Sequence, residues 1–133
     1  MPNFDLDLIL IYEERTGDIL FLIGTILAIL SSYQAEQSII AKIMRIPLIN
    51  HNSAKTLAVA SWLFFIASII FAHVAITRFV QLSKPHSRTS PFFLKGSKYT
   101  AVGNIIKSVG FGIAAVGNQL KASSLSQTTA ISQ

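Results

Sequence analysis

The sequence predicts an all-α fold: a small helical membrane protein whose two to three transmembrane helices form a tight bundle with Gly/Ala/Ser stripes at heptad spacing. Three observations point there. The residues are 51% hydrophobic and 13% charged, where soluble domains average about 25% charged. Uncharged apolar runs reach the length of a membrane crossing, and small residues return every seven positions inside them. At 133 residues the chain forms one domain at most, too little polypeptide to cover such runs on all sides.

Charge is distributed unevenly. All six acidic residues (Asp5, Asp7, Glu13, Glu14, Asp18, Glu36) fall in the first 36 positions, and ten of the eleven Lys and Arg fall from Lys42 onward, leaving +10 unopposed. A basic stretch of that kind suits nucleic acid or an anionic lipid surface. The apolar spans decide for the lipid bilayer and against a nucleic-acid partner. Cysteine is absent, which removes disulfides, thiol nucleophiles and thiolate metal sites.

One helical membrane domain is expected over residues 1–122. The opening "MPNFDLDLILIYEERT" is acidic where a secretory signal is basic, and no small-residue cleavage pattern follows, so it is expected to be retained. Its leucines and isoleucines suit a short interfacial helix. The first long helix is expected over about 17–46. It holds 17 uncharged residues, Ile19 to Ala35, at the lower limit of about 17–25 for a span. Nothing then breaks it before Pro47, and Ile39, Ile40, Ile43 and Ile46 share a face opposite Lys42 and Arg45.

The second helix, about 54–82, contains the strongest span: 22 residues without formal charge from Thr56 to Thr77. That is ~33 Å of helix, against a hydrocarbon core of about 30 Å. Lys55 and Arg78 bracket it as snorkelling side chains would. Residues 83–98, with Pro85, Pro91, several serines and a run of basic residues, read as a loop beside the membrane. Phe92 and Phe93 could dip into the interface there. Residues 123–133 read as a disordered polar tail.

The third helix, about 99–121, is amphipathic. Val102, Ile105, Val109, Ile113, Val116 and Leu120 form one face; Thr100, Asn104, Lys107 and Asn118 gather opposite, with Phe111 among them. A lysine well inside a spanning helix costs about 2.5–3.5 kcal/mol on insertion scales. Two readings stay open: a helix lying in the interface, or a span whose polar face is covered by other helices.

Residues 17–30, "GDILFLIGTILAIL", repeat as 103–116, "GNIIKSVGFGIAAV". Gly17, Ile19, Gly24 and Ala28 match Gly103, Ile105, Gly110 and Ala114. The small residue returns every seven in each copy, as Gly17, Gly24, Ser31 and as Gly103, Gly110, Gly117. The middle segment has Ala54, Ser61, Ser68 and Ala75 at the same spacing. Residues so spaced share one helix face. In lipid, close approach of backbones drives helix association, so these stripes are expected to be packing grooves. Gly24–Ala28 and Gly110–Ala114 are also small-xxx-small pairs.

The repeated segments resemble the G-[DN]-x-[IL]-x-x-[IV]-G segments of small hydrophobic membrane proteins of Gram-positive bacteria. That resemblance implies a bacterial plasma-membrane protein and implies no catalytic residue, ligand or activity.

Little here points to chemistry. His73 lies within the second span, where an ionisable group is a candidate for proton relay or partner binding, although it sits within a turn or so of the helix end. His51 and His86 have no second ligand at metal spacing. Glu13 and Glu14, like Asp5 and Asp7, read as solvated acids. No phosphate-binding glycine loop occurs and no serine has an activating context. No catalytic residue, metal or cofactor is expected. The expected function is non-enzymatic: self-association, or docking on a membrane partner, through the stripes. A pore or lytic protein of holin or bacteriocin type, using the polar face of the third helix, is the alternative, and a transporter subunit using His73 a weaker third. The Lys and Arg distribution prefers a cytoplasmic N-terminus.

Overall fold

In the computed structural model, which describes residues 4–47 and 52–131, the chain is three helices with no strand among the described residues. They are α1 (Phe4–Met44), α2 (Ser53–Leu82) and α3 (Pro91–Ile131), and each is long and apolar enough to cross a membrane. His51 lies outside the described residues.

The helices run further than the sequence pattern suggests, for local reasons. No proline interrupts the chain between Phe4 and Met44, so the expected interfacial helix and the first span fuse into one helix of 41 residues. Asp5 and Asp7 in its first turn and Lys42 in its last complement the helix dipole. The end of α1 is a Schellman turn. The Ile46 amide donates to the Ala41 carbonyl at 3.0 Å and the Arg45 amide to Lys42 at 3.3 Å. Arg45 takes the left-handed conformation, φ 54°, which the motif usually gives to glycine.

The expected loop at 83–98 is shorter than the prolines imply. Ser90 caps α3, accepting from the Phe93 amide at 3.3 Å through its hydroxyl and from Leu94 at 3.0 Å through its carbonyl. Pro91 then occupies the first helical position, where its missing N–H costs nothing. At the other end α3 continues to Ile131, where the composition suggests a disordered tail. The Ser124, Ser126 and Thr128 hydroxyls bond back to carbonyls of the preceding turn.

The register of both helix pairs follows from cross-helix contacts. Gly17 meets Phe71, Gly24 meets Phe64, and the Ser31 hydroxyl donates to the Ser53 carbonyl at 2.7 Å, so α1 and α2 are antiparallel. Ser108 reaches the Ser68 carbonyl at 2.8 Å and Asn118 reaches Ser61 at 2.6 Å, so α2 and α3 are antiparallel too. Helix α2 is the centre of the layer, and α1 and α3 pack on it with their own backbones apart.

The interior is built of small residues. Ala60, Ala67, Ser68 and Ala115 are fully buried, and Leu10 is the one large side chain among the described residues that is. Large apolar residues point the other way: Leu22 is 61%, Ile29 64% and Ile113 71% exposed. A water-soluble bundle buries those and exposes the alanines. Bundles that pack through small residues and present Leu and Ile outward suit a hydrocarbon surround, where backbone approach is the favourable term. Hydroxyls inside the spans are satisfied along their own helix, as with Thr25 on Phe21 and Ser61 on Leu57, or by a carbonyl of the neighbouring helix, as with Ser31 on Ser53. No buried side-chain polar atom among the described residues lacks a partner.

Candidate functional site

Four lines of small residues, each at period seven, build the two interfaces. On α1 the line is Gly17, Gly24 and Ser31, continued at the same spacing by the larger Leu10, all buried. Ideal Cβ atoms at Gly17 and Gly24 would stand 2.9 Å from ring carbons of Phe71 and Phe64, and at Gly24 also 3.3 Å from the Ala60 carbonyl. The glycines are sockets for two α2 rings. Ala28 is half-buried at the edge of this contact. Facing α1, α2 offers Ala60, Ala67 and Val74. Facing α3 it offers Ser61, Ser68 and Ala75, each buried, while Ala54 at the start of the same line is half-buried.

The glycine line of α3 does something else. An ideal Cβ at Gly103, Gly110 or Gly117 meets nothing within 4 Å, and Gly96, seven residues earlier, is equally open. Ala114 is exposed. Helix α3 packs on α2 instead through Ala101, Ser108, Ala115 and Ala122, another line at period seven, with Gly112 receiving the Phe65 ring. Two residues separate the lines, about 200° around a helix. The sequence marks Gly103, Gly110 and Gly117 as a packing stripe without saying whether its partner helix belongs to this chain or to another; in the structure no helix of this chain covers them. They form a free face, nearly opposite the buried one. Gly96 and Ser124 extend the free line in the sequence, but nothing in the spacing alone distinguishes it from the buried one.

Between α1 and α3, on one side of α2, lies a groove of about 910 Å³. It exists because α1 and α3 stay apart and touch only through side chains, chiefly Phe21 and Phe111, whose ring centroids are 5.9 Å apart. Its charged lining is Glu14 and Asp18 from α1, Arg78 from α2 and Lys107 from α3, with Asn104 beside them. Arg78 donates to Glu14 at 2.7 Å.

Lys107 lies near the middle of the span, with its ammonium drawn to the rings of the groove. Its neighbour Ser108 sits level with Ser68, at the midpoint of α2. The ammonium lies 4.9, 5.3 and 5.9 Å from the ring centroids of Phe21, Phe71 and Phe111. A cation over aromatic faces gains about 0.5–2 kcal/mol, which lowers the cost of a charge at this depth. Asn104 donates to the Thr100 carbonyl at 3.1 Å, within its own helix, and Asn118 to Ser61 across the interface. The polar face of α3 is thus turned to α2 and the groove.

His73 is on the opposite side of the α1–α2 pair. Its Nδ1 is 3.0 Å from a Glu13 carboxylate oxygen, and its side chain is 62% exposed. Glu13 and Glu14 are consequently not simply solvated. Adjacent residues on a helix point about 100° apart, so Glu13 reaches His73 on one flank of α2 while Glu14 reaches Arg78 on the other. Sequence spacing could not find those partners, because they depend on the register between helices. Among the described residues no three His, Cys, Asp or Glu converge as metal ligands do.

No protein-family model, curated protein or solved structure matches this chain.

Proposed function

We propose that the chain is a non-enzymatic multi-pass protein of a bacterial plasma membrane, as the repeated glycine segments resemble, and that it self-associates through the free glycine face of α3. One observation carries the reading: α3 has two small-residue faces and spends only one on its own bundle. A glycine line open to lipid has the cost in helix propensity of about 1 kcal/mol per glycine without the packing that repays it. A second helix lying along Gly103, Gly110 and Gly117 supplies that packing. A second copy suits the face. Between Lys98 and Lys121 the only charge on α3 is Lys107, and its ammonium is drawn over the groove's rings, so two such faces meet without like-charge repulsion. The inward turn of Lys107 and Asn118 also favours docking over a pore lined by this helix.

Crosslinking in native membranes tests it. The parent chain is expected to give a dimer band that Gly110→Leu abolishes while the monomer stays folded. An unchanged band in that variant sinks the reading.

Orientation follows from the charges, with the N-terminus and the residues between α2 and α3 cytoplasmic. Because the parent has no cysteine, single thiols report their own side. Asn52→Cys and Ser126→Cys are expected to react with an impermeant maleimide added outside intact cells, and His86→Cys only after lysis. Labelling of His86 and Ser126 from the same side would mean that α3 does not cross.

A further inference from the structure

The groove between α1 and α3 holds two charges that no described residue answers with an opposite charge. Glu14 and Arg78 neutralise one another at 2.7 Å. Asp18 and Lys107 line the same cavity, yet neither forms an ion pair with any described residue. The aromatic rings around Lys107 stabilise its charge but offer its N–H groups no oxygen acceptor. In a chain whose α1 and α3 are open to lipid on either side, an unmet ammonium and an unmet carboxylate facing one space define a complementary ligand.

We propose that this groove binds one phospholipid whose headgroup carries both a phosphate and a primary ammonium. The phosphate accepts from Lys107, the headgroup ammonium donates to Asp18, and an acyl chain lies along the phenylalanines. The cavity, about 910 Å³, is at the upper end of the ~300–1,000 Å³ usual for small-molecule sites. It is large enough for a headgroup and the first part of a chain. The headgroup need not cross bare hydrocarbon to arrive: Arg78, Glu14, Thr100 and Asn104 line the groove from the interfacial end of α2 toward Lys107. Charge complementarity selects the class. An anionic headgroup without an amine leaves Asp18 unmet and beside a second negative charge. A choline headgroup has no N–H to give a carboxylate. A neutral diacylglycerol answers neither residue.

The test uses the full chain in mild detergent, offered an equimolar mixture of phosphatidylethanolamine, phosphatidylglycerol and phosphatidylcholine, with bound lipid counted by native mass spectrometry. One phosphatidylethanolamine per chain is expected to persist in preference to the other two. Losing one charge-assisted contact lowers affinity by about tenfold or more, so Lys107→Gln should strip the adduct while Lys107→Arg keeps it. Asp18→Asn should leave a lipid bound but remove the preference for phosphatidylethanolamine over phosphatidylglycerol. Lys121→Gln, at the far end of α3, should change nothing. Circular dichroism of each variant reports whether the helices persist, and Asp18, being exposed, can be replaced without touching the packing. Equal retention of the three lipids by the parent overturns the proposal. So does an adduct unaffected by both Lys107→Gln and Asp18→Asn. Retention of soluble phosphoethanolamine as tightly as the lipid would overturn the lipid as the ligand. A Thr100→Cys crosslink joining two copies, with no lipid bound, would show the groove filled by protein.

Discussion

Gly24→Leu is expected to separate α1 from α2. A single Cβ at this position already stands 2.9 Å from the Phe64 ring and 3.3 Å from the Ala60 carbonyl. A ring can turn, but the carbonyl belongs to the α2 backbone, so the remaining leucine atoms have only the helix axis to push against. Overpacking of a closed site costs about 1–3 kcal/mol and sometimes more, and here the site is the middle of a four-member line on α1. Gly24→Ala is milder, because its strain is set against about 1 kcal/mol of helix propensity. A short thiol-to-thiol crosslinker joining cysteines placed at Gln34 and Thr56 gives the readout. Those side chains meet at 3.0 Å across the same pair of helices. The crosslink should form in the parent background and fail with Gly24→Leu. If it forms equally in both, α1 is not seated through its glycines.

How far the packing is legible in the sequence depends on how many small residues each helix offers. Along α1, Gly17, Gly24 and Ser31 make one dominant small line at period seven, and that line packs on α2. Along α3, Gly103, Gly110 and Gly117 are more conspicuous than Ala101, Ser108, Ala115 and Ala122, yet the alanines face α2. Both lines have the right period, and periodicity gives a face without saying what covers it. The missing signal was polar. Ser108 and Asn118 need partners when placed in hydrocarbon, and Ser68 and Ser61 on α2 supply them. Boundaries went astray for a similar reason. Ser90-Pro91 contains both the cap and the first-turn proline of a helix start, but inside a segment rich in serine and basic residues it reads as loop. The groove was out of reach altogether. Glu14, Asp18, Arg78 and Lys107 are scattered over three segments, and only the antiparallel register brings them to one cavity.

The second large effect separates the two faces of α3. Ala115 is fully buried between the Ser61–Asn118 and Phe65–Gly112 contacts. Leucine there has no room, so Ala115→Leu is expected to lift α3 from α2 at a cost of about 1–3 kcal/mol. The Trp62 indole, the one tryptophan, donates to Gln119 on α3 at 3.3 Å and packs against the Phe65 ring. Its emission should therefore shift in Ala115→Leu and its unfolding midpoint in detergent should fall. Gly110→Leu adds the same side chain five residues earlier on the free face, where an ideal Cβ meets nothing within 4 Å. It should leave Trp62 emission unchanged and should not lower the midpoint of the monomer, since leucine gains helix propensity over glycine, while weakening association between copies. The opposite outcome, with Gly110→Leu perturbing Trp62 and Ala115→Leu silent, would mean that α3 is rotated by half a turn and that the glycines pack inside the bundle after all. The comparison is sharp because both substitutions place a leucine on the same span. What differs between them is which side of α3 meets α2.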